Sequence, residues 1–295
     1  MKLARNYLAG LLAGVLVAGL GAVPVAHGEE DAIELDVMSF NIRFGTADDG
    51  PDSWPYRKAM VADMIIQYMP DIIGTQETLE FQADYLEKVL PEYRWFGVGR
   101  QADLMDEHTA FLYNHETVRP VKIGNFWLSE TPHVPGSQSW DSALPRMVTW
   151  ARFYHLDSQE MVTVYNTHFD HRGQEAREES SALIRDRVEE HAEDESVIVL
   201  GDFNAQAEED RPWEILVEES RLDDAWLTAV ETEGPEGTWS AFAPPEPDSR
   251  RIDWILVDRH FNVDLCETVL YNQDGRYPSD HYPVYARLQW RPSGD

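Results

Sequence analysis

Cysteine is almost absent from this chain. Cys266 is the only one in 295 residues, so no internal disulfide can form and the fold must rely on its core. Cys266 itself reads as a small buried hydrophobe rather than a reactive thiol. Basic residues are also scarce. The chain has 24 Lys and Arg against 54 Asp and Glu, for a formal charge of −30. That field repels polyanions at long range and lacks the broad basic footprint from which nucleic-acid binders gain affinity. It suits a solvated surface in a salty medium, where screening is strong. Long linkers, internal repeats and low-complexity tracts are missing too. Residues 29–295 therefore read as one domain, long enough to bury a large core.

Charge is absent from one further stretch, "YLAGLLAGVLVAGLGAVPV" at 7–25. Lys2 and Arg5 precede it, and the small residues Ala26 and Gly28 stand before Glu29. This pattern is expected of a secretory signal peptide, residues 1–28, cleaved after Gly28 and leaving an exported protein in the periplasm or medium. A retained anchor is the rival reading, because the run is near bilayer-spanning length. The abundance of Gly and Ala favours cleavage and no stable membrane anchor, and no cysteine follows the run for lipid attachment.

Beyond residue 32, strand and helix patterns alternate. "IELDVMSFNI" (33–42) reads as a strand, and Trp54-Pro55 opens a helix over 56–69 that Pro70 stops. "DIIGTQE" (71–77) is a short buried strand, followed by a helix over 78–90. Strands are expected at 109–114, 147–156 and 161–169, the last two forming a hairpin around Asp157-Ser158. A long amphipathic helix is expected at 173–194, a doubly buried strand at 196–204, and two final strands at 250–258 and 282–290. The Pro-rich segment 234–251 reads as a long loop, of a length often associated with function. Strand-helix-strand in both halves implies an α/β sandwich of two packed mixed sheets with helices outside.

Polar residues recur where these strands begin or end. Asn41 ends the first strand and Glu77 the second. His168 and Asp170 close "VTVYNTHFD", and Asp202 and Asn204 close "VIVLGDFN". Asp253 interrupts "RRIDWILV", and Asp280-His281 precedes the last strand. Each alone has an ordinary explanation, because Asn and Asp favour turns and strand ends. Together they share one chemistry: carboxylates, amides and two imidazoles, without a Ser or Cys nucleophile. Gathered on one edge, they would make a site for a hard cation with proton-transfer groups beside it. Oxygen donors of this kind suit Mg²⁺ or Mn²⁺.

The motifs "MSFNIR", "GTQE", "NTHFDH", "GDFNA", "RRIDWILV" and "SDHYPV" appear in the order found in the endonuclease/exonuclease/phosphatase superfamily. The chain resembles that group over about residues 33–290, nearly all of the domain. The resemblance implies a DNase I-like four-layer α/β sandwich and metal-dependent phosphoester hydrolysis. It also implies roles. Glu77 would be the main metal ligand, with Asn41 and Asp280 beside it. Asp202 would orient or deprotonate the attacking water, and Asn204 would contact phosphoryl oxygens. His281, paired with Asp253, and His168 would meet the phosphate. Apart from the resemblance, Arg146, which precedes a strand, is either a phosphate contact or a surface salt bridge, and Asp170 is a candidate substrate contact.

Three departures limit what is carried over. Arg43 stands where some abasic-site endonucleases have an acid, Asp170 replaces another polar residue of the sphingomyelinases, and the Cys-containing strand motif of the 5-phosphatases is missing. The resemblance therefore carries the mechanism more firmly than the substrate. "NTHFDHRG" and "SWPYRKAMVADMI" look most like a bacterial branch of metal-dependent hydrolases. The expectation is an exported, monomeric, Mg²⁺-dependent phosphodiesterase or phosphatase acting on small, glycan-linked or lipid-linked phosphates. A secreted DNase I-like nuclease and a non-catalytic binding module of the same fold are the alternatives. Other residues leave two readings open. Tyr113 is either a phosphate contact or core, Trp239 and Phe242 either stack on a base or sugar or staple their loop, and His171-Arg172 form either a substrate contact or an exposed turn.

Overall fold

The computed structural model describes residues 32–103 and 105–292. The expected signal peptide at 1–28 lies outside them. From Ala32 onward the described residues form one compact unit. Its strands, in chain order, are β1 (Ile33–Asn41), β2 (Ile72–Thr78), β3 (Tyr93–Phe96), β4 (His108–Asn114), β5 (Val118–Trp127), β6 (Met147–His155), β7 (Met161–His168), β8 (Ser196–Asp202), β9 (Leu222–Asp224), β10 (Glu231–Glu233), β11 (Asp253–Asp258), β12 (Phe261–Thr268) and β13 (Val284–Trp290). They build a seven-stranded sheet, ordered β10-β12-β13-β1-β2-β4-β3, and a six-stranded sheet, ordered β5-β6-β7-β8-β11-β9. Helices α1 (Trp54–Tyr68) and α2 (Glu80–Val89) belong to the first half, and α3 (Gln174–Glu189) to the second.

Local chemistry explains the principal boundaries. Pro55 occupies the first turn of α1, where its missing N–H costs nothing. Met69 then turns left-handed at φ 48° and Pro70 forbids continuation. Gln82 caps α2: its Oε1 accepts from Leu79 N at 3.1 Å and from Gly45 N at 2.7 Å. The β6–β7 hairpin turns at Asp157-Ser158, as the sequence implies. The Pro-rich segment is a loop with little regular structure. Strands β3, β5, β9, β10 and β12 are additional to the sequence reading. β5 reads "VRPVKIGNFW" and is half exposed, and β12 has a register shift between Val263 and Leu265; such strands lack clean alternation.

Apolar layers separate the sheets and helices. Leu35, Val37, Ile72 and Phe111 of the first sheet pack with Val164, Ile198, Leu200 and Ile255 of the second. Val61, Met64 and Ile65 of α1 join Met38 and Ile73 on the outer face of the first sheet. Ile184 and Val188 of α3 join Val197, Val199 and Trp254 on the outer face of the second. This is the DNase I-like α/β sandwich.

One polar bridge crosses the sandwich. Asn166 on β7 donates to the carbonyls of Thr75 (3.0 Å) and Ala110 (2.8 Å) on the opposite sheet. Its Oδ1 accepts from Gln76 Nε2 at 2.8 Å. Gly74 makes room, since a Cβ there would stand 2.9 Å from Asn166 Cγ and closer still to Leu200. Removing the bridge deprives buried groups of the first sheet, the Thr75 and Ala110 carbonyls and the Gln76 amide, of a partner, so Asn166→Leu should lower stability by about 2–4 kcal/mol. Urea denaturation measures this; a loss below about 0.5 kcal/mol would show the bridge to be dispensable.

Candidate active site

The sheet topology sends the polar strand ends to one edge of the sandwich. β1 and β2 run parallel and end there with Asn41 and Glu77. β7 and β8 are also parallel and end there with His168 and Asp202 in register. The antiparallel neighbours arrive by their starts. Asp253, first in β11, lies opposite Asp202, and Asp280-His281 lead into β13 beside β1. The same rule brings in Glu107, which the sequence reading missed, and Arg146, which it named. Glu107 precedes β4, which runs antiparallel to β2, and Arg146 precedes β6, which runs antiparallel to β7. A cavity of about 470 Å³ opens on this edge, and Glu77, Asp280, Asp202, His281, Arg100, Glu107, Arg146, His168 and His171 are among the residues that line it.

Asp202 is its centre. Its Oδ2 accepts from Asn41 Nδ2 at 3.0 Å and lies 3.4 Å from His168 Nε2 and 3.9 Å from His281 Nε2. Its Oδ1 accepts from Asn204 N at 3.0 Å. Burial and the nearby Asp253 carboxylate push Asp202 up to about 7, against the pull of His281 and Asn41. A carboxyl poised there can exchange protons near neutral pH.

The two imidazoles are driven in opposite directions. Burial works against the His281 cation, but Asp253 and Asp202 outweigh it and hold the ring protonated well above its usual range. Asp253 Oδ2 lies 2.9 Å from His281 Nδ1 and also accepts from Thr238 Oγ1 at 2.6 Å. His168 is held well below the usual range by burial and by the cations Arg146, Arg100 and His281. One ring is therefore a cation and the other a neutral hydrogen-bonding group.

Three site residues adopt left-handed backbone conformations without being glycine: Arg43 (φ 57°), Glu77 (φ 58°) and Asn204 (φ 49°). Their clustering marks a place where the surrounding structure holds an unfavourable geometry. At Glu77 the pairing of β2 with β4 slips between Thr75 and Thr78, which re-aims the carboxylate. Arg57, wholly buried under α1, braces the same corner by donating to the carbonyls of Ile42, Arg43 and Pro278 at 2.5, 2.8 and 3.0 Å. The loop at 234–251 is pinned alongside: Ser240 N donates to Asp280 O at 2.8 Å and Tyr282 N to Thr238 O at 2.7 Å.

The acidic corner suits a hard divalent cation. Glu77 Oε1 accepts only from Asn41 (3.2 Å) and Oε2 only from Phe44 N (3.1 Å), leaving lone pairs. Burial and the Glu77 charge push Asp280 up. Arg43, which pairs loosely with both, is clamped by Asp49 at 3.0–3.1 Å and stands 3.9 Å from Glu77 and 3.7 Å from Asp280, while His281 and Arg57 act on Asp280 from further off without offsetting its burial. Two carboxylates this poorly compensated favour an added cation. Glu77, Glu107 and His168 also bring ligand atoms within 4.8 Å of one another, but Glu107 is already held by Arg100 through a bidentate pair at 2.8 and 2.9 Å. Glu77 and Asp280 are the freer ligands.

Some expected roles take a different form. Asn41 turns its amide nitrogen, not its oxygen, towards Glu77 and Asp202, while its oxygen accepts from Arg43 N at 3.0 Å; in this geometry it orients carboxylates. Asp170 does not line the cavity. It is buried and accepts from the backbone N–H groups of Ala143, Leu144, Arg172 and Gly173 at 2.7–3.2 Å. Burial opposes its charge, yet these donors and Arg146 bring it down to about 2. It holds a loop and positions Arg146 rather than meeting substrate. Tyr113 packs on Phe96 and Phe153 and pairs with Ile72 at the far end of the sheet, so it belongs to the core. Trp239 lines the cavity and is half exposed, whereas Phe242 lies against Arg57 and staples its loop.

The geometry generates a pH test. The His281 cation is present below its raised pKa and lost as pH rises through it, so activity should fall on the alkaline side. Asp253→Asn removes the charge that raises that pKa, and the alkaline limb of kcat/KM should move to lower pH. His281→Ala should lower kcat by about 10²–10⁴-fold, and the double variant should be little worse, because the pair acts as a unit. Multiplicative losses, or an unmoved limb in Asp253→Asn, would separate His281 from Asp253.

Comparison with known proteins agrees with this geometry. A profile described as the Endonuclease/Exonuclease/phosphatase family matches residues 38–281. A family protein from Bacteroides vulgatus superposes with TM-score 0.83 at 32% identity, covering 88% of this chain and 100% of that one. A mannosyl-6-phosphatase of Bacteroides thetaiotaomicron superposes with TM-score 0.81 at 33% identity, covering 86% and 99%. An uncharacterized protein of Acanthamoeba polyphaga mimivirus is 27% identical over 188 residues, 58% of this chain and 67% of that one. The chain belongs to the endonuclease/exonuclease/phosphatase family and is a metal-dependent phosphoric ester hydrolase.

Proposed function

We propose that this protein is an exported, monomeric, Mg²⁺-dependent hydrolase of small or glycan-linked phosphoesters. The observation that carries the reading is the buried Asp202 carboxyl, with the Asn41 amide 3.0 Å, the His168 ring 3.4 Å and the His281 ring 3.9 Å from its Oδ2; burial and Asp253 push it up. Asp202 would take a proton from the attacking water. Charge building on the phosphoryl oxygens would meet the His281 cation and the neutral His168 ring. Asn204 gives one amide N–H to Phe169 O at 3.1 Å, leaving the second for a phosphoryl oxygen. Held by Glu77 and Asp280, the divalent ion would supply Lewis-acid stabilisation of developing charge. The P–O bond to the leaving group breaks as the bond from water oxygen forms, giving an alcohol and a phosphate.

The −30 charge disfavours a polyanionic substrate, and the similar mannosyl-6-phosphatase supports a phosphorylated sugar. A panel of plasmid DNA, RNA, bis-p-nitrophenyl phosphate, p-nitrophenyl phosphate and mannose 6-phosphate tests this in Mg²⁺ and in EDTA. The small esters should be turned over and the polymers spared, and EDTA should abolish turnover. Glu77→Gln should weaken Mg²⁺ binding in titration calorimetry and raise the Mg²⁺ concentration needed for activity. Full turnover without metal, or DNA as the best substrate, would overturn the reading. Export rests on residues 1–28; mass spectrometry should find an N-terminus at Glu29 outside the cytoplasm, and an intact membrane-bound Met1 form would refute it.

A further inference from the structure

Arg146 stands out among the cations of the cavity. It is 5% exposed, and its Nε has no hydrogen-bond partner. The nearest carboxylate, Asp170, stays 3.6 Å from that nitrogen, and both of its oxygens already accept backbone N–H groups. Nη2 meets His171 Nδ1 at 3.1 Å, and this ring is kept towards its neutral form by burial and by Arg146. Nε is buried against Asp170, whereas Nη1 makes no hydrogen bond among the described residues and the side chain lines the cavity; a desolvated guanidinium with its Nη1 unused there is arranged to receive an anion. Arg100, another cation lining the cavity, is instead committed to Glu107.

We infer that Arg146, held by Asp170 and flanked by His171, makes this site select phosphate monoesters over diesters. The inference rests on the hydrolase reading above and specifies its substrate class. A monoester carries close to two charges near neutral pH and three free oxygens; a diester carries one charge and two. His281 and the metal corner already serve one set of oxygens, so the Arg146 fork serves the additional oxygen and charge. In a diester that position holds a second organic group, which would meet Leu144 and a buried guanidinium instead of water. The balanced reaction is monoester plus water giving alcohol and inorganic phosphate, with no further reactant.

Two p-nitrophenyl esters with the same leaving group test this: the monoester and the bis-ester, compared by kcat/KM in Mg²⁺. Wild type should favour the monoester. Arg146→Ala should lower the monoester value by about 10²-fold and the diester value by less than about 3-fold. Arg146→Lys, which keeps charge without the fork, should fall between. His171→Gln lies at an exposed position and should reduce the ratio modestly with an unchanged melting temperature, which keeps the test alive if Arg146→Ala does not fold. A wild-type preference for the diester, equal losses on both esters, or an unchanged ratio in both Arg146→Lys and His171→Gln would overturn the inference. Calorimetry with inorganic phosphate separates it from the hydrolase reading. If wild type cleaves neither ester, that reading fails; the anion site then stands only if Arg146→Lys weakens phosphate binding, and equal binding removes it.

Discussion

The Asp202 carboxylate is the constraint around which the site is organised. It is buried, stands next to a second acid, and its Oδ2 is faced by an amide and two imidazoles. A buried carboxylate is tolerated only when donors compensate its desolvation. Asn41 on β1 and the Asn204 N–H donate to it, and the imidazoles at the end of β7 and in the turn before β13 stand 3.4 and 3.9 Å away, so placing one side chain fixes the relative positions of both sheets at this edge. The Asn166 bridge enforces the same registration deeper in the sandwich. Together they explain why groups so far apart in sequence meet within hydrogen-bonding range.

The electrostatics of the site differ from those of the chain, because cations stand among its acids. The molecule is strongly acidic, yet its cavity gathers Arg43, Arg100, Arg146, Arg250 and the His281 cation. Each of the first three is attached to an acid that holds it: Asp49 for Arg43, Glu107 for Arg100, Asp170 for Arg146. How tightly each acid engages its partner sets how much positive potential remains. Arg100 is largely neutralised by a bidentate pair, while Arg146 keeps unused N–H groups because Asp170 serves the backbone. Local geometry outweighs net charge here, since fields from exposed acids are screened within a Debye length while buried pairs are not. The paired imidazoles follow the same logic, with Asp253 stabilising one cation and two arginines opposing the other.

Much of this was readable along the chain. Buried apolar runs named β2, β7, β8 and β11, because doubly buried strands need near-continuous apolar sequence, and alternation named β1. A charged or amide residue at the end of such a run, as at Glu77, His168 and Asp202, is conspicuous for the same reason. Strand β5 and strand β12 escaped because half-exposed and bulged strands dilute alternation. Glu107 and Arg146 were less conspicuous because each precedes a strand, where polar residues are ordinary; only the antiparallel pairing of β4 with β2 and of β6 with β7 turns those positions towards the cavity.

The sequence by itself determined the layer architecture, the polar residues at the strand ends and the chemistry they share, because periodicity and residue type are properties of single segments. The tertiary structure alone decided their division of labour. It made His168 the neutral ring, turned the Asn41 nitrogen towards the carboxylates, and moved Asp170 from substrate contact to support of Arg146. Protonation state and hydrogen-bond direction depend on burial and on which charges stand within a few ångströms. Those neighbours come from strands a hundred or more residues apart, so no reading of one segment contains them.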